Sequence, residues 1–300
     1  MSSSKKDWTH APTGEENILK STSYTKAYID PVFMESPEAR GIRILAEYEK
    51  PEILLRRNRV LSTIIVYGSA RTLPPDVAEK NLQEAKKNLA SHPHSARLRK
   101  EVEAARIQVE MSGYYDKARK FAQIVSKRNQ FYDYATSRER EPKRRKEFRY
   151  VICTGGGPGI MEAANRGAHD VDGISIGLNI TLPHEQKPNP YITPDLCFQF
   201  HYFAMRKLHF LLRAVAVVAF PGGFGTLDEI FTGLTLCQTG KSQRLPIILF
   251  GREYWEKCLN MEHLAKTGMI SEEDLDILFY ANTPEEAVEI ITDFYGPTPK

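Results

Sequence analysis

Ala214-Val-Ala-Val-Val-Ala-Phe-Pro-Gly-Gly-Phe-Gly-Thr-Leu-Asp-Glu229 is the stretch that decides the fold. Its first half is an apolar, valine-rich run of strand length, ended by turn residues, and it reads as a strand buried on both faces of a parallel sheet. Pro221, Gly222, Gly223 and Gly225 break it, and helical spacing resumes with Ile230, Leu234 and Cys237 facing inward. Glycines at such a corner let backbone N–H groups approach a ligand with no Cβ in the way. The N-terminus of the helix adds unpaired donors and a positive dipole end, a combination that holds anions such as phosphate. Glu229 is read as an acid on the first helical turn beside that anion site. A second reading stays open, because Thr226-Leu-Asp-Glu229 also fits a capping box in which Glu229 only returns to the backbone.

Outward from this corner the chain repeats the pattern. Ser62 to Tyr67 reads as a strand ending at Gly68-Ser69-Ala70-Arg71, and Tyr150 to Cys153 as a strand ending at Thr154-Gly155-Gly156-Gly157-Pro158-Gly159. Further strands are expected at Gly173 to Leu178, at Leu245 to Phe250 and, as an edge, at Leu275 to Tyr280. Helices are expected at about 36–57 (divided by Pro51), 114–134, 202–213, 254–266 and 284–295. Residues 75–112 are polar and helix-favouring around His92-Pro93-His94. They predict a charged helical hairpin projecting from the sheet, serving assembly rather than catalysis. Residues 1–59 form a polar leader, loose to about residue 35, and an N-terminal helical extension; 60–296 form the main domain.

Strands alternating with helices imply an α/β, Rossmann-like doubly wound parallel sheet with right-handed crossovers. Ligands of such sheets sit outside the strand carboxyl ends, near the point where strand order reverses. The three glycine corners share that edge, so Gly68, Ser69, Gly156, Gly157 and the Gly222–Thr226 corner define one crevice. Arg206 and Lys207 have a short route to it from the preceding helix; the alternative reading is a solvent-facing basic pair.

Composition excludes several classes. A net charge of +3 over 300 residues does not argue for nucleic acid, and the basic run Arg138 to Arg149 reads as a solvated linker. Four dispersed cysteines without a Cys-x-x-Cys pair read as reduced residues of a cytoplasmic protein. No apolar run is long enough to span a membrane. Gly155-x-Gly157-x-Gly159 lacks the spacing of the dinucleotide fingerprint, Gly240-Lys241-Ser242 lacks the leading glycine of a P-loop, and neither His-Glu-x-x-His nor Gly-x-Ser-x-Gly occurs.

Pro221-Gly-Gly-Phe-Gly-Thr-Leu-Asp-Glu229, with Arg206-Lys207 and Gly155-Gly-Gly-Pro-Gly-Ile-Met-Glu-Ala-Ala-Asn-Arg-Gly-Ala168 before it, closely resembles the LONELY GUY family of nucleoside 5′-monophosphate phosphoribohydrolases, often misnamed lysine decarboxylases. The resemblance covers about Ser36 to Tyr295, includes Gly68-Ser-Ala-Arg71 and Gln238-Thr-Gly-Lys241, and looks like the longer bacterial branch. It implies cleavage of the N-glycosidic bond of AMP or cytokinin riboside 5′-monophosphate to free base and ribose 5-phosphate, without metal or other cofactor. It implies catalysis by Arg206 and Glu229 and substrate contacts from Glu185, Lys207, Gly222, Gly223, Phe224, Gly225, Thr226, Asp228 and Thr235. A homodimer or higher homo-oligomer is expected. The 75–112 insertion departs from the usual family pattern, and the loop between Glu185 and Arg206 is longer than in short plant-type members. A rival reading is a non-catalytic nucleotide or molybdenum-cofactor carrier, which needs the glycines but no carboxylate at the sugar. A decarboxylase would need a pyridoxal-phosphate lysine that nothing in the sequence identifies.

Overall fold

The structure, a computed structural model, describes residues 14–136, 147–182 and 187–296. The expectations for residues 1–13, for most of the basic run and for Glu185 therefore lie outside the described residues. Two units separate, Met1–Lys50 and Pro51–Lys300.

In the first unit, short helices α1 (Glu15–Leu19) and α2 (Pro31–Glu35) bury none of their residues. Asp30 caps α2, accepting from the N–H groups of Val32 and Phe33 at 3.0 and 3.2 Å. The Arg43 guanidinium donates to the Met34 and Ser36 carbonyls, both at 2.6 Å. Helix α3 (Arg40–Arg57) runs through Pro51 without dividing, unlike the sequence expectation. A proline inside a helix removes one hydrogen bond, and here the Pro51 ring is buried.

The second unit is a seven-stranded parallel sheet: β1 (Thr63–Tyr67), β2 (Val151–Thr154), β3 (Ser175–Ile180), β4 (Cys197–Phe200), β5 (Ala214–Ala219), β6 (Ile247–Phe250) and β7 (Leu278–Ala281). Their order is β4-β3-β2-β1-β5-β6-β7. Strands β1, β2 and β6 are buried along their whole length, and β5 over its last four residues. That is the burial a parallel sheet covered on both faces requires. Ile65, Tyr67, Cys153, Val217 and Leu249 point to one face, under α7 (Phe203–Leu212), α8 (Phe224–Gln238) and α9 (Arg252–Cys258). Val66, Ile152, Val218 and Phe250 point to the other, under α5 (Ala96–Thr136), α6 (Ile160–His169) and α11 (Pro284–Tyr295).

The helical hairpin is present, formed by α4 (Pro75–Ser91) and α5. It buries Ala78, Leu82, Leu98 and Val102. Its second arm is not a separate element, however. The 41 residues of α5 are one helix, roughly 60 Å long at 1.5 Å per residue, so the arm continues into Tyr115, Phe121 and Val125 of the core. The stretch read as a helix at 254–266 is two, α9 and α10 (Met261–Lys266), because Asn260 starts a new one by accepting from His263 N at 2.9 Å. Among the described residues no helix is long and apolar enough to cross a membrane.

Candidate active site

The sheet runs outward in opposite directions from β1 and β5, so strand order reverses between these neighbours. The two corners that leave them are sewn together: Phe220 N donates to Tyr67 O at 2.9 Å and Ser69 N to Pro221 O at 3.0 Å. Ile160 N donates to Ser69 O at 3.1 Å, tying the corner after β2 to the same edge. A cleft of about 830 Å³ opens above them. The strand carboxyl ends at a switch point are where an open α/β sheet takes its ligand.

One wall is the corner before α8. Gly223 is the N-cap and makes no side-chain cap bond. Leu227 N makes the first helical bond, to Gly223 O at 3.0 Å, so the N–H groups of Phe224, Gly225 and Thr226 remain free for a ligand. A Cβ on Gly223 or Gly225 would meet no atom within 4 Å, whereas one on Gly222 would lie 2.1 Å from Thr226 Oγ1. Gly222 thus lets the corner close on Thr226, and its neighbours leave the backbone open. The Tyr254 hydroxyl donates to Gly222 O at 2.8 Å, and Trp255 Nε1 donates to Ala219 O and Phe250 O, both at 3.1 Å. The corner is rigid because α9 holds it.

This geometry removes the capping-box reading of Glu229. With Gly223 as the cap, Thr226 is the third helical residue and Glu229 the sixth, on the second turn rather than the first. Its side chain does not return to the cap. Glu229 is 8 % exposed, and its buried Oε2 has no hydrogen-bond partner among the described residues. Burial raises the carboxyl pKa, against the pull of Arg206 and then Lys207.

Arg206 stands on the opposite wall. Its Nε donates to Leu178 O at 2.8 Å, and its guanidinium lies 5.2 Å from the centre of the Phe210 ring. Gly155 gives it room: a Cβ there would fall 2.5 Å from Arg206 Nη2. Burial pulls the Arg206 pKa down, partly countered by Glu229. No ion pair joins Arg206 to Glu229 among the described residues, and both line the cleft.

Of the residues expected from sequence, Gly68, Ser69, Arg206, Gly222, Gly223, Phe224, Gly225, Thr226, Asp228 and Glu229 line the cleft together. Four do not. Gly156 and Gly157 are fastened behind it, their carbonyls accepting from the Asn189 side-chain amide at 3.2 and 3.1 Å, and Gly155 takes their place in the wall. Lys207 Nζ donates to Asp228 at 2.7 Å and to Thr232 Oγ1 at 3.1 Å, bracing α7 on α8. Thr235 lies further along α8, its hydroxyl turned back to Phe231 O at 2.7 Å. The lining also includes Tyr67, Gln108, Met111 and Tyr254, which the sequence reading did not assign to the site. Tyr67 was legible as the residue before a glycine corner; the other three reach the cleft only through tertiary packing.

The family described as possible lysine decarboxylase matches residues 161–291, a span that holds Arg206, the glycine corner and Glu229. A pyrimidine/purine nucleotide 5′-monophosphate nucleosidase of Escherichia coli is 33% identical over 115 residues, covering 33% of this chain and 24% of the relative. A cytokinin riboside 5′-monophosphate phosphoribohydrolase of Arabidopsis thaliana is 26% identical over 148 residues, covering 48% and 67%. Over these spans the chain is similar to proteins of the LONELY GUY type that its motifs resemble. It spans about a quarter of the length of the bacterial relative and two thirds of the plant one. Among solved structures, the molybdenum cofactor binding protein from Rippkaea orientalis is similar at 16% identity and a TM-score of 0.44, covering 79% of this chain and 97% of that one.

Proposed function

We propose that the protein hydrolyses the N-glycosidic bond of nucleoside 5′-monophosphates, of the AMP or cytokinin riboside 5′-monophosphate type, to free base and ribose 5-phosphate. The observation that carries this reading is Glu229: a buried carboxylate with an oxygen unpartnered among the described residues, lining one cleft with Arg206 and the open N-terminus of its own helix. The α8 N–H groups of Phe224, Gly225 and Thr226 take the 5′-phosphate. Arg206, its Nε already committed to Leu178 O, offers its two Nη groups to phosphate or sugar oxygens. The ribose then lies against Glu229.

As the C1′–N bond breaks, positive charge grows on the ribose, and the carboxylate stabilises it. Water adds its oxygen to C1′; its proton passes to Glu229 and on to the departing base, leaving Glu229 ionised again. Burial raises the carboxyl pKa, so it takes up the water's proton more readily than an exposed carboxylate would. The chemistry needs no metal or redox cofactor, and the reading includes neither nucleic acid nor membrane as partner. It places the protein in the cytoplasm as a homodimer or higher homo-oligomer; the exposed Phe203, Leu212 and Phe231 on α7 and α8 support a second copy seated there.

The test is incubation of the purified chain with AMP, other nucleoside monophosphates and adenosine, with chromatography of the products. Adenine and ribose 5-phosphate should appear in equal amounts from AMP, and adenosine should be far poorer, because the phosphate contacts position the ribose. Nucleotide binding without base release would establish the carrier reading instead.

A further inference from the structure

Tyr67, the last residue of β1, is 6 % exposed and lines the cleft floor. Its ring meets Phe210 edge-on, with centroids 5.1 Å apart at 75°, and Phe210 in turn underlies the Arg206 guanidinium. Its hydroxyl is buried and has no hydrogen-bond partner among the described residues. Only two of the cleft-lining residues carry such an orphaned buried atom, and they are complementary: the Tyr67 hydroxyl is a donor, and Glu229 Oε2 is an acceptor. A buried polar group left unpaired is costly, so natural sites pair such groups with each other, with water or with ligand.

We propose that Tyr67 is a positioning residue for Glu229: its hydroxyl reaches Oε2 across one water molecule and turns the other carboxylate oxygen toward the sugar. This rests on the hydrolase reading and deepens it. Ile65, Tyr67, Cys153, Val217 and Leu249 share one face of the sheet, and of these only Tyr67 carries a side-chain oxygen. Phenylalanine would pack against Phe210 equally well, so the hydroxyl is not needed for the core. The other groups that bear on Glu229 are Arg206 and Lys207 from α7 and Asp228 from α8; the buried Cys153 thiol of β2 bears on Tyr67, and Arg71, Tyr254 and Cys258 lie elsewhere in the cleft. Of these, the Tyr254 hydroxyl is committed to Gly222 O and the thiols are only weak donors, which leaves the Tyr67 hydroxyl as the strong neutral donor with no partner among the described residues. Glu229 is also the charge that most strongly raises the Tyr67 pKa after burial itself, consistent with the two groups being neighbours.

Tyr67→Phe tests the assignment. A hydrogen bond to an ionised group should be worth roughly a ten- to hundredfold fall in kcat, with KM for AMP nearly unchanged because the phosphate corner is intact. Removing a donor to the charged form raises a carboxyl pKa, so the acid limb of the pH–rate profile should move to higher pH. The same shift should appear in the titration of the Glu229 carboxyl followed by carbon NMR, which needs no turnover. In a double-mutant cycle with Glu229→Gln, adding Tyr67→Phe should cost little more, since the hydroxyl acts through the carboxylate. An unmoved NMR titration, or fully additive losses, would overturn the proposal, as would a fall in kcat matched by lost thermal stability with no pH shift. A wild-type protein that never releases base would instead refute the hydrolase reading, and the NMR titration would still decide the pairing.

Discussion

Glu229→Gln changes charge while keeping shape, and it should have opposite effects on activity and stability. Burial raises the Glu229 pKa in the folded chain above its unfolded value. The folded state therefore binds this proton more tightly. Stability from the group is fully present below the ordinary carboxylate pKa and is lost as pH rises through the folded value. Above it, the fold carries a buried anion that makes no ion pair among the described residues. Relieving an unpaired buried group is worth about 1–3 kcal/mol, and in a unit of this size one kcal/mol moves Tm by about 2–4 °C. The variant should melt about 2–12 °C above the wild type at pH 8, and the gap should close toward pH 4. Turnover of AMP should fall at least about a hundredfold, the equivalent of about 2.7 kcal/mol of transition-state stabilisation. In the wild type, the acid limb of kcat/KM should lie above the ordinary carboxylate range. Thermal melts at the two pH values and product chromatography read all of this. A folded variant with near-wild-type turnover refutes a chemical role for Glu229; a lower Tm at pH 8 refutes the buried-anion argument and makes the carboxylate a structural partner of Arg206.

Gly222→Ala would put a methyl 2.1 Å from Thr226 Oγ1, so the α8 N-terminus must shift; KM for AMP should rise roughly tenfold or more, with about 1–3 kcal/mol of lost stability in a denaturant melt. Gly223→Ala, which meets nothing within 4 Å, should leave stability near wild type and affect only ligand affinity. Gln108 lines the cleft and makes no side-chain hydrogen bond among the described residues; Gln108→Ala should change the ratio of kcat/KM values among AMP, GMP, CMP and UMP while leaving inhibition by ribose 5-phosphate unaltered.

The doubly wound sheet was legible because its strands carry unambiguous apolar runs that end at glycines, and burial on both faces leaves those runs few alternatives. The site was legible for the same reason, since the glycine corners mark strand carboxyl ends and topology gathers those ends. What failed was local bookkeeping. Thr226-x-x-Glu229 has capping-box spacing, but spacing carries no information about where helical backbone begins, and Gly223 begins it three residues earlier. Gly156 and Gly157 have the look of a ligand loop, yet their carbonyls are claimed by Asn189, 32 to 33 residues away in sequence. Pro51 and Asn260 show the same limit from opposite sides. A proline does not divide α3, and an asparagine with no breaker beside it divides α9 from α10.

The continuity of α5 ties the hairpin to the cleft wall. As a separate insertion it could be removed without touching the chemistry, and that was the expectation from its polar composition. Instead one helix carries Leu98 and Val102 in the hairpin, Gln108 and Met111 in the cleft wall, and Tyr115 and Phe121 in the core. The Tyr115 hydroxyl donates to Glu162 on α6 at 2.8 Å, and Arg119 donates to Asp170 at 2.5 and 3.0 Å, so the core end is fixed in orientation. A helix transmits that orientation along its axis, so the side-chain amide of Gln108 is set by contacts two to three turns away rather than by a loop. Were Gln108 to contact the base of a bound nucleotide, as its place in the cleft wall predicts, that contact would be insensitive to loop motion. In the proposed hydrolase it would also tie the choice of base to the 75–112 segment, while the glycine corner and Glu229 lie on elements within the matched span 161–291.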